Sequence, residues 1–221
     1  MSEETSSETR DLPVAGAREG VVVRAGAGTC RVATGDVVYL CRLRGRLKQG
    51  RQRTQAPVVA GDRVLVRPLP PEAEAAGPTA VVEQVRPRRN RISRRAARRT
   101  GGQREQILMA NLDQLVAVQS VARPAPQGGL VDRLLAAAAH HELTAVLCLN
   151  KVDLDPAAAA DARWDHYARL GVVVIRTSVV TGAGIAELAA RLQGEVSLVL
   201  GASGVGKSSL LNVIAPGLAV R

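Results

Sequence analysis

Apolar positions along this chain follow two different rules. Between residues 20 and 86 they come in short runs rich in β-branched side chains, at 20–23, 29–33, 36–41, 63–66 and 80–83, and Gly26, Gly28, Gly35, Gly45, Gly50 and Gly61 punctuate them. Such short runs, cut by turn-forming glycines, predict β-strands, and about five strands in so small a span predict a small barrel of the OB type. The stretch PLPPEAEAAGP at 68–78 reads as a long loop between the last strands.

From residue 110 the rule changes. Nearly continuous apolar runs at 114–119, 144–149, 172–175 and 196–200 alternate with helix-patterned stretches at 130–139, 156–170 and 185–192, and a further helix starts near Gly206. Apolar strands alternating with helices predict a parallel sheet covered on both faces. The expected fold class is therefore mixed: an all-β OB-fold barrel at 20–92, then an α/β domain at 110–221. A tail at 1–19 and a basic linker at 93–109 complete the division.

Composition narrows the setting. The polar start MSEETSSETRDLP carries no secretory signal and predicts a disordered tail. No apolar stretch is long and continuous enough to span a bilayer. Cys30, Cys41 and Cys148 lie far apart and form no CxxC, which argues against a disulfide framework and against a zinc site. A reducing, cytoplasmic setting, a monomer and no membrane partner are expected.

The net charge is +10, from 30 basic against 20 acidic residues, and its distribution matters more than its size. Arg86, Arg88, Arg89, Arg91, Arg94, Arg95, Arg98 and Arg99 fall within 14 residues that contain no carboxylate. A run like that suits a phosphate polyanion, and structured RNA is the expected partner, with a solvated linker as the alternative. Phe is absent and Tyr39 is the only aromatic of the barrel segment, so RNA contacts would rest on arginine and backbone rather than base stacking.

Two motifs carry the chemistry. Gly201-Ala202-Ser203-Gly204-Val205-Gly206-Lys207-Ser208 matches GxxxxGK[ST] between an apolar strand and a helix, with Ser209 following. In such a P-loop the glycines let backbone N–H groups wrap phosphates, Lys207 reaches the β- and γ-phosphates, and the Ser208 hydroxyl ligates Mg²⁺. By itself this motif does not separate ATP from GTP. Asn150-Lys151-Val152-Asp153, at the end of the 144–149 strand, supplies the choice. The Asp153 carboxylate can accept from guanine N1–H and the exocyclic amine together, a donor pair adenine lacks. Asn150 suits N7 and the tying of neighbouring loops, and the Lys151 stem can lie over the purine. Thr177-Ser178-Val179, past the next strand, offers backbone N–H groups to guanine O6. Each motif follows the carboxyl end of a strand, where open α/β sheets bind ligands. His140 and His141 sit at a helix end, where charge placement explains them, and Trp164 reads as packing. No catalytic residue is assigned.

The order of the motifs is inverted, since the base-reading tetrad precedes the P-loop; in most GTPases the P-loop comes first. With Gly61-Asp62-Arg63-Val64, Ala110-Asn111-Leu112-Asp113-Gln114 and the extended run LGASGVGKSSLLN at 200–212, the chain resembles the RsgA (YjeQ, EngC) family of ribosome small-subunit-dependent GTPases. The resemblance implies an OB-fold, a circularly permuted GTPase domain and a small zinc domain. It also implies late maturation of the small ribosomal subunit, contact with 16S rRNA, and GTP hydrolysis stimulated by the subunit. Val179-Val180 depart from the family's Ala-Lys in its SAKTG stretch.

The sequence ends 14 residues after Lys207, at Arg221. The family's switch-one threonines, DxxG motif and Cys/His zinc ligands would lie beyond that point, so no zinc ligands are expected here. Numbered as in unpermuted members, the strands retained are 1, 4, 5 and 6, which are contiguous in the sheet order 2-3-1-4-5-6. A four-stranded sheet with the P-loop strand at its edge is expected. A GTPase by descent and a truncated, non-hydrolysing guanine-nucleotide and RNA-binding module are the two readings this leaves, with an ATPase sharing only the P-loop a distant third.

Overall fold

The computed structural model describes residues 16–26, 28–45, 47, 57–70, 77–97 and 103–216. The chain divides into two compact units at Ala110/Asn111.

The first unit holds a closed barrel of five strands, β1 (Arg18–Ala25), β2 (Thr29–Thr34), β3 (Val37–Leu43), β4 (Arg63–Pro68) and β5 (Thr79–Val85), in the order β1-β2-β3-β5-β4. Pairing of β1 with β4 closes it; β3 and β5 run parallel and the other neighbours antiparallel. The period-two pattern shows why. On β3, Tyr39, Cys41 and Leu43 point into the core while Val38, Leu40 and Arg42 point out. Val22, Cys30, Val32, Val64, Val66, Ala80 and Val82 fill the same interior.

One bridge fixes the barrel's lower corner. Asp62, fully buried, accepts Arg88 Nε at 2.7 Å on Oδ1, Arg88 Nη2 at 2.8 Å on Oδ2, and the Val59 N–H at 2.8 Å. Beside it Gly61 has φ +85°, and a Cβ there would stand 1.9 Å from the Ala110 carbonyl oxygen. The Gly61-Asp62-Arg63-Val64 motif is thus an architectural corner: only glycine permits the approach, and the carboxylate is satisfied by a bidentate guanidinium.

The segment at 93–109, expected as a basic linker, is largely sheet in its described residues. β6 (Arg91–Ala97) pairs antiparallel with β7 (Gln103–Ala110), from Arg91↔Ala110 to Ala97↔Gln103. Ile107, Ala110 and Val59 form a small buried cluster beneath it. The pattern missed the pair because β6 carries one large apolar residue, Ile92, among arginines.

The second unit is a parallel sheet ordered β10-β9-β8-β11, from β8 (Gln114–Ser120), β9 (Thr144–Asn150), β10 (Val173–Thr177) and β11 (Ser197–Leu200). This is the expected 6-5-4-1 arrangement, with the P-loop strand β11 at an edge of the described sheet. Every residue of β8 is buried, as a strand covered on both faces requires. The helices are α1 (Gly128–His140), α2 (Pro156–Ala159), α3 (Arg163–Arg169), α4 (Ile185–Leu192) and α5 (Lys207–Ile214). The single helix expected at 156–170 is two. Asp155 caps α2 through Ala158 N, Asp161 accepts the Arg163 N–H at 2.9 Å and restarts the chain as α3, and Trp164 Nε1 reaches back to the Ala158 carbonyl. An alanine run offers no anchoring side chain, so the local capping carboxylates decide.

Candidate nucleotide site

Three loops meet at the carboxyl ends of β8, β9 and β11. Asn150, only 2% exposed, closes β9 and donates Nδ2 to the Val205 carbonyl at 2.8 Å, inside the P-loop. Its Oδ1 lies 3.1 Å from Thr177 Oγ1. Lys151 stands in the left-handed region at φ +63°, uncommon for a side-chain-bearing residue. Its Nζ donates to Gly204 O at 2.7 Å and Arg123 O at 2.6 Å, so ammonium and backbone hold one another in place. The tetrad is therefore fastened to the P-loop at two successive carbonyls.

Asp153 is aimed by its neighbour. Ser178 Oγ accepts the N–H groups of Val180 and Thr181 at 3.2 and 3.1 Å, which commits its own proton to Asp153 Oδ1 at 2.5 Å. Oδ2 has no hydrogen-bond partner among the described residues, and neither does the Val179 N–H. An acceptor on Asp153 and a donor at Val179, carried on the loops past the adjacent strands β9 and β10, suit the edge of guanine, N1–H and amine against carboxylate, O6 against amide. A cleft of about 330 Å³ adjoins, lined by Val152, Asp153, Pro156, Ala159, Arg176 and Thr181.

The P-loop runs from β11 into α5. Gly206 precedes the helix at φ +97°, and a Cβ there would meet Asn150 Nδ2 at 2.3 Å. Lys207 Nζ donates to Gly201 O and Ala202 O at 2.9 and 2.8 Å, folding over the loop. Ser203, Gly204, Ser208 and Ser209 are exposed along the rim. The N-terminal turn of α5 presents unpaired N–H groups and the positive end of the helix dipole, which suits phosphate. Ser208 offers a hydroxyl oxygen, the donor type Mg²⁺ takes together with phosphate oxygens. A hollow of about 540 Å³ between α1 and α3 is lined by Thr144, Ala145 and Val172 and so lies at the opposite, amino ends of the strands. Volume is a poor guide here, because a P-loop grips its ligand with backbone on an open rim.

The sequence-expected residues divide as follows. Asn150, Lys151, Val152 and Asp153, the P-loop, and Thr177, Ser178 and Val179 come together. Thr177 does so indirectly, its side chain fully buried behind Asn150. The arginines lie in the other unit and are unequal. Arg88 is spent on Asp62 and is 9% exposed at its side chain, and Arg86 pairs with Glu19 at 3.1 Å. Arg89 and Arg91 are exposed, Arg94 and Arg95 lie on β6, and Arg98 and Arg99 fall outside the described residues. Ala110-Asn111-Leu112-Asp113-Gln114 is structural: Asp113 accepts Val196 N and Thr144 N, and Gln114 Nε2 donates to Arg191 O and Ser197 Oγ, tying together the starts of β8, β9 and β11. Sequence reasoning missed the loop after β8, where Arg123 supplies its carbonyl and Pro124 lies near Gly204. Its place past a strand's carboxyl end was the available signal.

Among the described residues no three His, Cys, Asp or Glu side chains gather as a metal site, and zinc finds no ligand set there. Burial pushes the Cys148 thiol up to about 11, against a weaker opposing effect of its hydrogen-bond contact with Thr177. No described helix is long and apolar enough to cross a membrane.

Known proteins match both units. The family model for the RsgA GTPase covers residues 85–221 and that for the RsgA N-terminal domain residues 19–73. The small ribosomal subunit biogenesis GTPase RsgA of Carboxydothermus hydrogenoformans is 34% identical over 90% of this chain, and that of Moorella thermoacetica 37% over 92%. The chain spans 61% and 62% of the length of these two relatives. The crystal structure of YjeQ from Thermotoga maritima superposes with TM-score 0.70 at 32% identity, covering 93% of this chain and 67% of that one. YloQ, described as a circularly permuted GTPase, gives 0.66 at 26% identity, covering 90% of this chain and 65% of that one. With a family model matching well over half of its residues, and with the inverted motif order built into its sheet, the chain belongs to the RsgA GTPase family.

Proposed function

We propose that this chain binds GTP and GDP with Mg²⁺ and serves, as a GTP hydrolase, in small-subunit maturation, the role named for its relatives. The observation that carries the reading is the fastening of Asn150 and Lys151 onto Val205 and Gly204, which sets a guanine-reading edge beside a phosphate cradle. In this reading Asp153 and Val179 N–H read the base. Residues 201–209 hold the phosphates, Lys207 exchanging its carbonyl partners for phosphate oxygens. Ser208 holds Mg²⁺, which when bound neutralises charge developing on the phosphoryl oxygens. Asn150, Lys151 and Asp153 orient the nucleotide without touching the reacting atoms. The partner is 16S rRNA in the small subunit, met through Arg89, Arg91, Arg94, Arg95, Arg98 and Arg99, with Arg86 at the margin. A cytoplasmic monomer of OB-fold (20–92), basic connecting segment (93–109) and permuted GTPase (110–221) is the form proposed.

The base assignment has a sharp test. Asp153→Asn should lower GDP affinity on the order of a hundredfold and favour xanthosine diphosphate, whose 2-oxo group accepts from the new amide. Unchanged GDP affinity by calorimetric titration would sink the role of Asp153. For turnover, GTP hydrolysis should rise when purified small subunits are added; binding without any rise would leave a nucleotide-binding module.

A further inference from the structure

Cys148 makes none of the contacts proposed above, yet it heads a buried chain of polar groups that ends in the P-loop. Its Sγ lies 3.3 Å from Thr177 Oγ1, Thr177 Oγ1 lies 3.1 Å from Asn150 Oδ1, and Asn150 Nδ2 lies 2.8 Å from Val205 O. Cys148 and Thr177 are fully buried and Asn150 is 2% exposed, so water does not stand in for a lost partner.

Counting protons fixes the direction of this chain. A carbonyl only accepts, so Val205 O sets the Asn150 amide with Nδ2 toward the P-loop and Oδ1 toward Thr177. Oδ1 then needs a donor, and the single Thr177 hydroxyl proton is the one within reach. With that proton spent, Thr177 Oγ1 faces Cys148 as an acceptor, and the thiol must donate. A rival exists: Leu149 O also lies 3.5 Å from Thr177 Oγ1. Swinging the hydroxyl to it would leave a buried amide oxygen unpaired, which is unfavourable.

We propose that Cys148 is a positioning residue for guanine-nucleotide binding. Its thiol proton, given to Thr177, keeps the Thr177 hydroxyl on Asn150 and so holds the Asn150 amide between Val205 and N7 of the base. This rests on the guanine reading of the site. A thiol whose ionisation is pushed up to about 11 keeps its proton throughout the neutral range, as a permanent donor must. Consecutive hydrogen bonds of one polarity also reinforce each other in a low-dielectric interior.

Cys148→Val keeps the bulk and removes the donor. The full chain and this variant are each titrated with GDP and with 7-deaza-GDP, which lacks the N7 acceptor. In the unsubstituted chain the deaza analogue should bind about threefold to tenfold more weakly, the range of one hydrogen bond. In Cys148→Val, GDP should weaken by a similar factor and the deaza penalty should shrink toward one, because Asn150 is no longer held on N7. Such non-additivity is the signature of a shared interaction. Cys148→Ser, which again donates, should restore the penalty. A penalty undiminished in Cys148→Val, whatever its melting temperature, makes Cys148 ordinary core and overturns the proposal. An unsubstituted chain that binds both analogues equally overturns it as well. If Cys148→Val fails to fold, Cys148→Ala is read in the same cycle. An unsubstituted chain that binds neither nucleotide overturns the guanine reading itself.

Discussion

At Gly206 two constraints fall on one residue. Its φ of +97° disfavours any side chain, and a Cβ would meet Asn150 Nδ2 at 2.3 Å. Gly206→Ala should therefore push Asn150 off the Val205 carbonyl. It is expected to weaken GDP about tenfold or more and to lower the melting temperature by a few degrees. Isothermal titration and a thermal melt check both, and wild-type affinity in this variant would mean that Asn150 works equally well elsewhere. The identities of Asn150, Asp153 and Lys207 were legible in the sequence because their motifs are contiguous. The sharing of Asn150 between Thr177 and Val205 was not. Those partners lie 27 and 55 residues away, and only the sheet's strand order brings them within 3.1 and 2.8 Å.

Elements were legible where a period was strong and obscure where local chemistry overrode it. The barrel strands follow plain alternation, the four parallel strands are nearly continuous apolar runs, and α4 follows helical spacing. The β6–β7 pair does not, since its arginines conceal the strand, and α2 and α3 separate because Asp155 and Asp161 each bind a nearby backbone N–H. The β6–β7 pairing changes what the arginine run means. Replacing Arg89, Arg91, Arg94 and Arg95 by Gln should reduce the slope of log K against log salt for structured RNA, by about 0.7 to 0.9 for each phosphate that is no longer neutralised. Arg88→Gln should behave differently. It strips a fully buried Asp62 of its bidentate partner, so a lower melting temperature is expected with little change in slope. Equal effects from the two substitutions, measured by binding across a salt series, would contradict the division.

For the whole molecule, charge sets the conditions of use. At neutral pH 30 basic residues stand against 20 acidic ones, and acid removes only the negative set. Glu83 is where this matters most. Its side chain is 1% exposed between Arg44 and Arg67. Burial favours its neutral form, but hydrogen bonds from Arg67 and Arg44 outweigh that and hold the carboxyl below its ordinary range. A carboxylate lowered in the fold contributes stability fully present above its unfolded pKa of about 4.3 and lost as pH falls through the lower folded value. Melts of the chain from about pH 7 down to about pH 3 should fall steeply at the acid end. Glu83→Gln should be less stable at neutral pH and flatter toward acid, and parallel curves for the two chains would exclude Glu83 as the source.

The fastening of Asn150 and Lys151 onto Val205 and Gly204 also carries a schedule. A chain leaves the ribosome from its amino end, and early segments begin to fold before late ones exist. Here β8, β9 and β10, with the base-reading loops they carry, emerge ahead of the phosphate loop. Asn150 then waits for residue 205 before its amide can close. In a GTPase with its P-loop in front, the phosphate grip is made first and the base reader arrives afterwards. In this chain a newborn domain has its reading edge assembled while it has nothing to hold a nucleotide by, and ligand capture waits for the P-loop strand made after it.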